Sequence, residues 1–280
     1  MASFVGVRHR CVSLALLAPP LAAAGWGLLE AGWVRLRELD VPLPGLPLEL
    51  DGLRIAHLSD LHLGVPSPGL RAVERAVDWV VARRPDLICI TGDLLTHPRG
   101  EPVLRQLVAR LPEPTFAVLG NHDYAIARDP QARPSGLRDL GPNVRLLFDE
   151  GESLELRGRR IWIAGLDPLP LGRRRRPAPR GLSSDGDLRI LLCHYPHILD
   201  RLEPGSFDLL LAGHMHDGQI TIPYPGGKVR LAHVSASYAS GLYETRAGVM
   251  HVSPGLGTTF VPFRFGARPE ATELVLRSRA

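Results

Sequence analysis

From Leu53 onward, short apolar runs alternate with longer segments in which apolar residues recur every three to four positions. Leu53–Leu58, Asp86–Thr91 and Thr115–Leu119 have the length and composition of strands. Between them, Leu70–Arg83 puts Val73, Val77, Val80 and Val81 on one face and predicts a helix; Val103–Leu111 predicts a second. Further apolar strands are expected at Ile161–Ala164, Leu188–Cys193 and Asp208–Ala212, with more strands and turns from Gln219 to the end. There is no internal repeat. The alternation predicts an α/β domain whose central strands are buried on both faces.

The N-terminal segment follows another pattern. No residue from Cys11 to Leu29 is charged. As a helix this run would reach about 28 Å, close to the thickness of a bilayer core. Arg8 and Arg10 precede it, and Trp26 and Trp33 stand where interfacial aromatics sit, so an uncleaved anchor over residues 1–36 is expected. The charge bias would then put the rest of the chain on the non-cytoplasmic side. Ala22-Ala23-Ala24 offers the alternative of export after signal cleavage. Pro19-Pro20 would kink a spanning helix. Residues 37–52, rich in proline, read as a stiff linker, and 53–280 as the main folded domain.

Five of the predicted strands end in a polar cluster: Asp60-Leu-His62, Gly92-Asp93, Gly120-Asn121-His122-Asp123, His194, and Gly213-His214-Met-His216. Ligands gather beyond the carboxyl ends of strands in such folds. Alternate residues of an extended chain point the same way, so Asp60 with His62, and His214 with His216, are expected to face one site. Imidazole and carboxylate without thiolate suit catalytic Mn, Fe or Zn rather than a closed structural zinc. The glycines at 92, 120 and 213 would let the backbone turn sharply toward the ions.

Composition narrows the picture slightly. The net charge of +4 across 280 residues does not imply nucleic acid, and no basic strip interleaved with aromatics is present. Arg173–Arg176 forms a local basic run inside a long Pro/Arg/Ser loop, Leu169–Asp187. It reads either as a solvated loop or as a patch for phosphate or anionic lipid. The three cysteines give no disulfide framework, and Cys89 and Cys193 lie in apolar runs as packing residues.

Taken together, these clusters resemble the signature of the calcineurin-like metallophosphoesterases over roughly residues 53–276. The resemblance implies a four-layer αββα sandwich of two mixed β-sheets flanked by helices, with two metal ions at the sheet edges. It implies a first metal held by Asp60, His62, Asp93 and His216. A second would be held by Asp93, Asn121, His194 and His214, with Asp93 bridging. His122 looks like the family's catalytic histidine, oriented by Asp123. The stretches Ser59–Gly64, Ala212–Gln219, Gly255–Thr258 and Arg268–Glu270 are similar to the bacterial YkuE/YaeI-type, membrane-linked branch. Asp217 departs from that branch where Gly is usual, and Pro254 where Arg is usual.

The expected activity is hydrolysis of a phosphomonoester or phosphodiester by direct attack of hydroxide held by the ions. The protein is expected to be a monomer acting on a phosphorylated small molecule or lipid. A lipid pyrophosphatase or phosphodiesterase of the UDP-diacylglucosamine type is the alternative. A non-enzymatic phosphate-binding membrane scaffold is weaker, because a scaffold has no need of a full ligand set.

Overall fold

The computed structural model describes residues 20–169, 182, 185–234 and 236–279. Two six-stranded mixed sheets face each other. The first has the order β1 (Arg35–Pro44), β14 (Glu270–Arg279), β2 (Arg54–Leu58), β3 (Leu87–Thr91), β4 (Thr115–Val118) and β5 (Val144–Leu146). Within it, β2 to β5 run parallel, and β14 is antiparallel to β2 and parallel to β1. The second runs β12 (Gly241–Thr245), β13 (Gly248–Val252), β9 (Leu209–Ala212), β8 (Leu188–Leu192), β7 (Arg159–Gly165) and β6 (Glu150–Leu156).

Alternation along the buried strands builds three apolar layers. Leu87 and Cys89 of β3 point between the sheets, where they join Ile163, Ile190, Leu192 and Leu211 of the second sheet. Ile88 and Ile90 point the other way, onto α2 (Gly69–Arg83) and α3 (Glu101–Val108), through Val73, Val77, Val80 and Leu104. The outer face of the second sheet is covered by a 3-10 turn, Pro196–Arg201, and by loops, with Ile198, Leu199 and Phe207 buried there. The fourth layer of the expected sandwich is therefore thin among the described residues. Cys89 and Cys193 are free and buried.

Residues 37–52 are not a linker. Arg35–Pro44 pairs with Glu270–Arg279 over ten positions, and Val41 and Leu43 are fully packed between the sheets. The prolines that suggested a linker, Pro42 and Pro44, are tolerated because β1 is an edge strand and needs no donors on its outer side. The globular unit thus begins near residue 35. Residues 20–31 form a helix, α1, docked on it: Arg264 N donates to Gly27 O and Ala267 N to Glu30 Oε1. No helix of the described residues is long and apolar enough to cross a membrane. Residues 11–19 of the expected anchor and the Arg173–Arg176 run lie outside the described residues.

Candidate metal centre

The carboxyl ends of β2, β3, β4, β8 and β9 converge where the two sheets meet, and the seven expected ligands lie together there. Asp60, His62, Asp93 and His216 form one group whose ligand atoms all fall within 4.8 Å of one another, and Asp93, His194 and His214 form another. In the first, His62 Nε2 stands 3.0 Å from His216 Nε2 and 3.5 Å from Asp93 Oδ2, while His216 Nε2 lies 3.3 Å from Asp60 Oδ1. In the second, His194 Nε2 is 3.3 Å from Asp93 Oδ2, 2.9 Å from Asn121 Oδ1 and 3.2 Å from His214 Nδ1. Asp93 belongs to both groups.

The backbone achieves this differently from what strand alternation suggests. Asp60, His62, Asp93, His214 and His216 all have positive φ, between 48° and 72°. Such conformations are costly for residues other than glycine and gather at functional sites. The side chains of Asp60 and His62 meet through successive left-handed kinks after β2, not through extended geometry. Gly120 is required by close approach: a Cβ there would collide with the Asp93 carboxylate.

The donor set fits cations. Asp60 and Asp93 are buried, and their charge partners are imidazoles: His62 and His216 around Asp60, His62 and His194 around Asp93. Burial pushes both carboxyls up, but the surrounding histidines outweigh it and hold them below the usual carboxylate range. Burial pushes His62, His214 and His216 down, keeping their ring nitrogens available as lone pairs. Burial also opposes charge on His194, yet Asp93 and Asp60 raise it to about 9. Ring nitrogens of four imidazoles and oxygens of two carboxylates, facing one another at 3.0–3.5 Å, are a donor set that a cation would bind.

A model of the calcineurin-like phosphoesterase family matches residues 53–218, more than half of the chain. The chain belongs to that family. This phosphoesterase is similar to the uncharacterized metallophosphoesterase YkuE of Bacillus subtilis, with 31% identity covering 92% of this chain and 91% of YkuE. It is also similar to the phosphodiesterase YaeI of Escherichia coli, at 27% identity over 80% of this chain and 82% of YaeI. A third relative is the UDP-2,3-diacylglucosamine pyrophosphatase LpxG of Chlamydia trachomatis, 26% identical over 95% of this chain and 97% of LpxG. The family, the fold and the ligand clusters together make the chain a metal-dependent hydrolase of phosphoesters.

The surroundings of the ligands were only partly legible in the phosphoesterase sequence. His194 Nδ1 donates to Thr91 O at 2.9 Å, and this orients Nε2 toward Asp93. Behind Asp60 runs a buried chain that crosses between the sheets. Ser59 Oγ donates to Asp60 Oδ2 (2.6 Å) and Thr91 Oγ1 donates to Ser59 Oγ (2.8 Å). With its proton committed, the Thr91 hydroxyl must accept from His57 Nε2–H (2.8 Å). Neutral His57 then accepts at Nδ1 from His251 Nδ1–H (2.8 Å). That direction leaves His251 Nε2 as a bare lone pair, and it is a buried atom with no hydrogen-bond partner among the described residues. Burial keeps both rings neutral, lowering His57 well below the ordinary histidine value and His251 to about 3.

Arg264 is fully buried and sits against His216, with Nη2 3.1 Å from His216 Nδ1. Its other donors reach the carbonyls of Gly257, Pro254 and Ala267. Burial lowers it to about 10. The guanidinium thus braces the chain at Pro254. Nothing in the apolar spacing around residue 264 announced this.

One expectation changes. Asp123 does not stand behind His122. Its carboxylate accepts from the backbone N–H groups of Leu94, Leu95 and Gly120, while His122 Nδ1 has no hydrogen-bond partner among the described residues. Burial and the nearby Asp93 raise Asp123 to about 7, against those three hydrogen bonds. Asp123 therefore clamps two ligand-bearing loops together. Asp217 is a turn residue with φ of 50°, and it ion-pairs with Lys228 and with Arg230 at 3.0 Å rather than facing the ligands.

Proposed function

We propose that the chain hydrolyses phosphodiester bonds with two metal ions, one held by Asp60, His62, Asp93 and His216 and the other by Asp93, Asn121, His194 and His214. The observation that carries this reading is the pair of donor groups sharing one carboxylate at the wall of a cavity of about 410 Å³. Ions bound there would activate water and hold the phosphate oxygens. The chain's own residues supply the rest. His122 lines the cavity, edge-on to His62 with ring centroids 4.5 Å apart, and can give a proton to the leaving oxygen. Arg128 also lines the cavity and supplies positive charge for a substrate phosphate. The imidazole and carboxylate set suits Mn, Fe or Zn, and elemental analysis of purified protein would name the ion.

A chromogenic bis-aryl phosphate tests the activity. The wild type should release product with at least one divalent metal. Asp93→Asn should lose both activity and most bound metal, because both groups need that carboxylate. His122→Ala should retain its metal and lose about 10²–10⁴-fold in kcat. No turnover by metal-loaded wild type with any such ion would sink the proposal.

A second reading concerns the substrate. Ile126, Met215, Ile220, Leu231, Phe260 and Val261 also line the cavity. Those walls favour a phosphoester with an apolar part, in keeping with the lipid-linked substrate that the name of LpxG gives for that relative. A membrane-associated enzyme acting on such a lipid, on the non-cytoplasmic side, is consistent with this. A panel of soluble and lipid-borne esters, assayed side by side, separates the two readings.

A further inference from the structure

The hairpin of β10 (Thr221–Tyr224) and β11 (Gly227–Arg230) is amphipathic the wrong way round for a soluble surface. Its register pairs Ile222 with Val229 and Tyr224 with Gly227 on one face, and Thr221 with Arg230 and Pro223 with Lys228 on the other. The polar face turns toward the domain: Lys228 and Arg230 both ion-pair with Asp217, and Thr221 Oγ1 donates to Gly266 O at 3.0 Å. The apolar face turns to solvent, with Ile222 and Tyr224 each 55% exposed. The next rung on that face is Ile220 and Leu231, both of which line the cavity beside the ligands. A two-stranded hairpin gains nothing in water from showing its apolar side.

Two neighbours extend this surface. Gln219 Nε2 donates to Thr259 O at 2.8 Å, and Thr221 N donates to Phe265 O at 2.7 Å, so the hairpin base is tied to the 258–267 loop. That loop puts Phe260, 53% exposed, at the cavity wall. Its other side holds α1 through Arg264 and Ala267. On α1 and just after it, Leu21, Leu28, Leu29, Trp26 and Trp33 are exposed. Among the described residues, ten of the fifteen exposed large hydrophobics lie on these three connected segments.

We infer that this connected face is a bilayer-docking surface that presents the mouth of the metal centre at the membrane interface. The choice of a lipid surface over a protein rests on two observations. The face carries interfacial aromatics, Trp26, Trp33 and Tyr224, and α1 continues an uncharged stretch that begins at Cys11. The inference builds on the phosphoesterase reading only in what the mouth would admit; docking itself does not depend on catalysis.

The test uses the full chain bound to phosphatidylethanolamine–phosphatidylglycerol vesicles, with Cys11→Ser as background. An environment-sensitive fluorophore is attached at Tyr224→Cys or, as control, at Glu155→Cys on β6, at the opposite end of the strands. Brominated acyl chains should quench the label at 224 and leave that at 155 unchanged. In parallel, Ile222→Asp/Val229→Asp should hydrolyse a soluble bis-aryl phosphate at the wild-type rate, yet lose at least tenfold on a phosphodiester carried by a vesicle lipid. Absence of quenching at 224 overturns the inference. So does disulfide cross-linking of Tyr224→Cys between copies in solution, which would make the face a self-association surface. Should the wild type fail on the soluble ester, the phosphoesterase reading falls, while quenching still decides the docking.

Discussion

At the scale of single residues, the metal centre is built as much by what stands behind the ligands as by the ligands. Asp60 is held by a directional chain, His251–His57–Thr91–Ser59. Thr91→Val keeps the shape and removes the hydroxyl that links the two halves. It should weaken metal binding about 10–100-fold while leaving the fold intact, as titration calorimetry and circular dichroism would record. His194 carries the pH dependence. With its value raised to about 9, its contribution to the metal-free protein is complete below the ordinary histidine value of 6.5 and is lost as pH rises through about 9. A metal must displace that proton. Ion affinity should therefore climb between pH 7 and 9, with up to about one proton released at pH 7 in buffers of differing ionisation enthalpy. A flat profile across that range would contradict the assignment of His194.

Elements explain why the ligand loops can afford strain. β2, β3, β8 and β9 are buried on both faces, and their ends are fixed before the left-handed kinks begin. The edge strand β1 closes the first sheet over β14. Leu43→Ala removes a packed side chain between the sheets and should destabilise the protein by about 2–5 kcal/mol in chemical denaturation. Deleting residues 1–47 should leave β14 as an open edge and yield aggregating protein. A truncation that stayed monomeric and equally stable would restore the linker reading. That reading failed because Pro42 and Pro44 masked the alternation Leu39, Val41, Leu43, which is the mark of a strand. The β5 and β6 strands were missed for other reasons. The former has three residues, and the latter is solvated over most of its length.

For the whole molecule, the centre is a seam. Asp60, His62, Asp93 and Asn121 follow strands of the first sheet, and His194, His214 and His216 follow strands of the second. Ions bound there would tie the sheets together. Saturating the protein at 100–1,000 times Kd should add about 2.7–4.1 kcal/mol of stability. A chelator should accordingly lower Tm, and Asp93→Asn should show no such metal-dependent shift. Equal Tm with and without chelator in the wild type would argue that the ligands of the two sheets do not share ions.

The sequence by itself determined the strand and helix alternation and put forward the seven candidate ligands and His122, because each is a local feature: an apolar run, and a polar cluster at its end. Tertiary structure decided everything that depends on which surfaces meet. It turned residues 37–44 into an edge strand, gave the Asp123 carboxylate to three backbone amides, and set Arg264 behind His216 from 48 residues away. It also joined His57 to His251 across 194 residues. Those partners are invisible to periodicity because a buried polar group is chosen by the atoms opposite it, and the folded sheets alone bring those atoms within hydrogen-bonding distance.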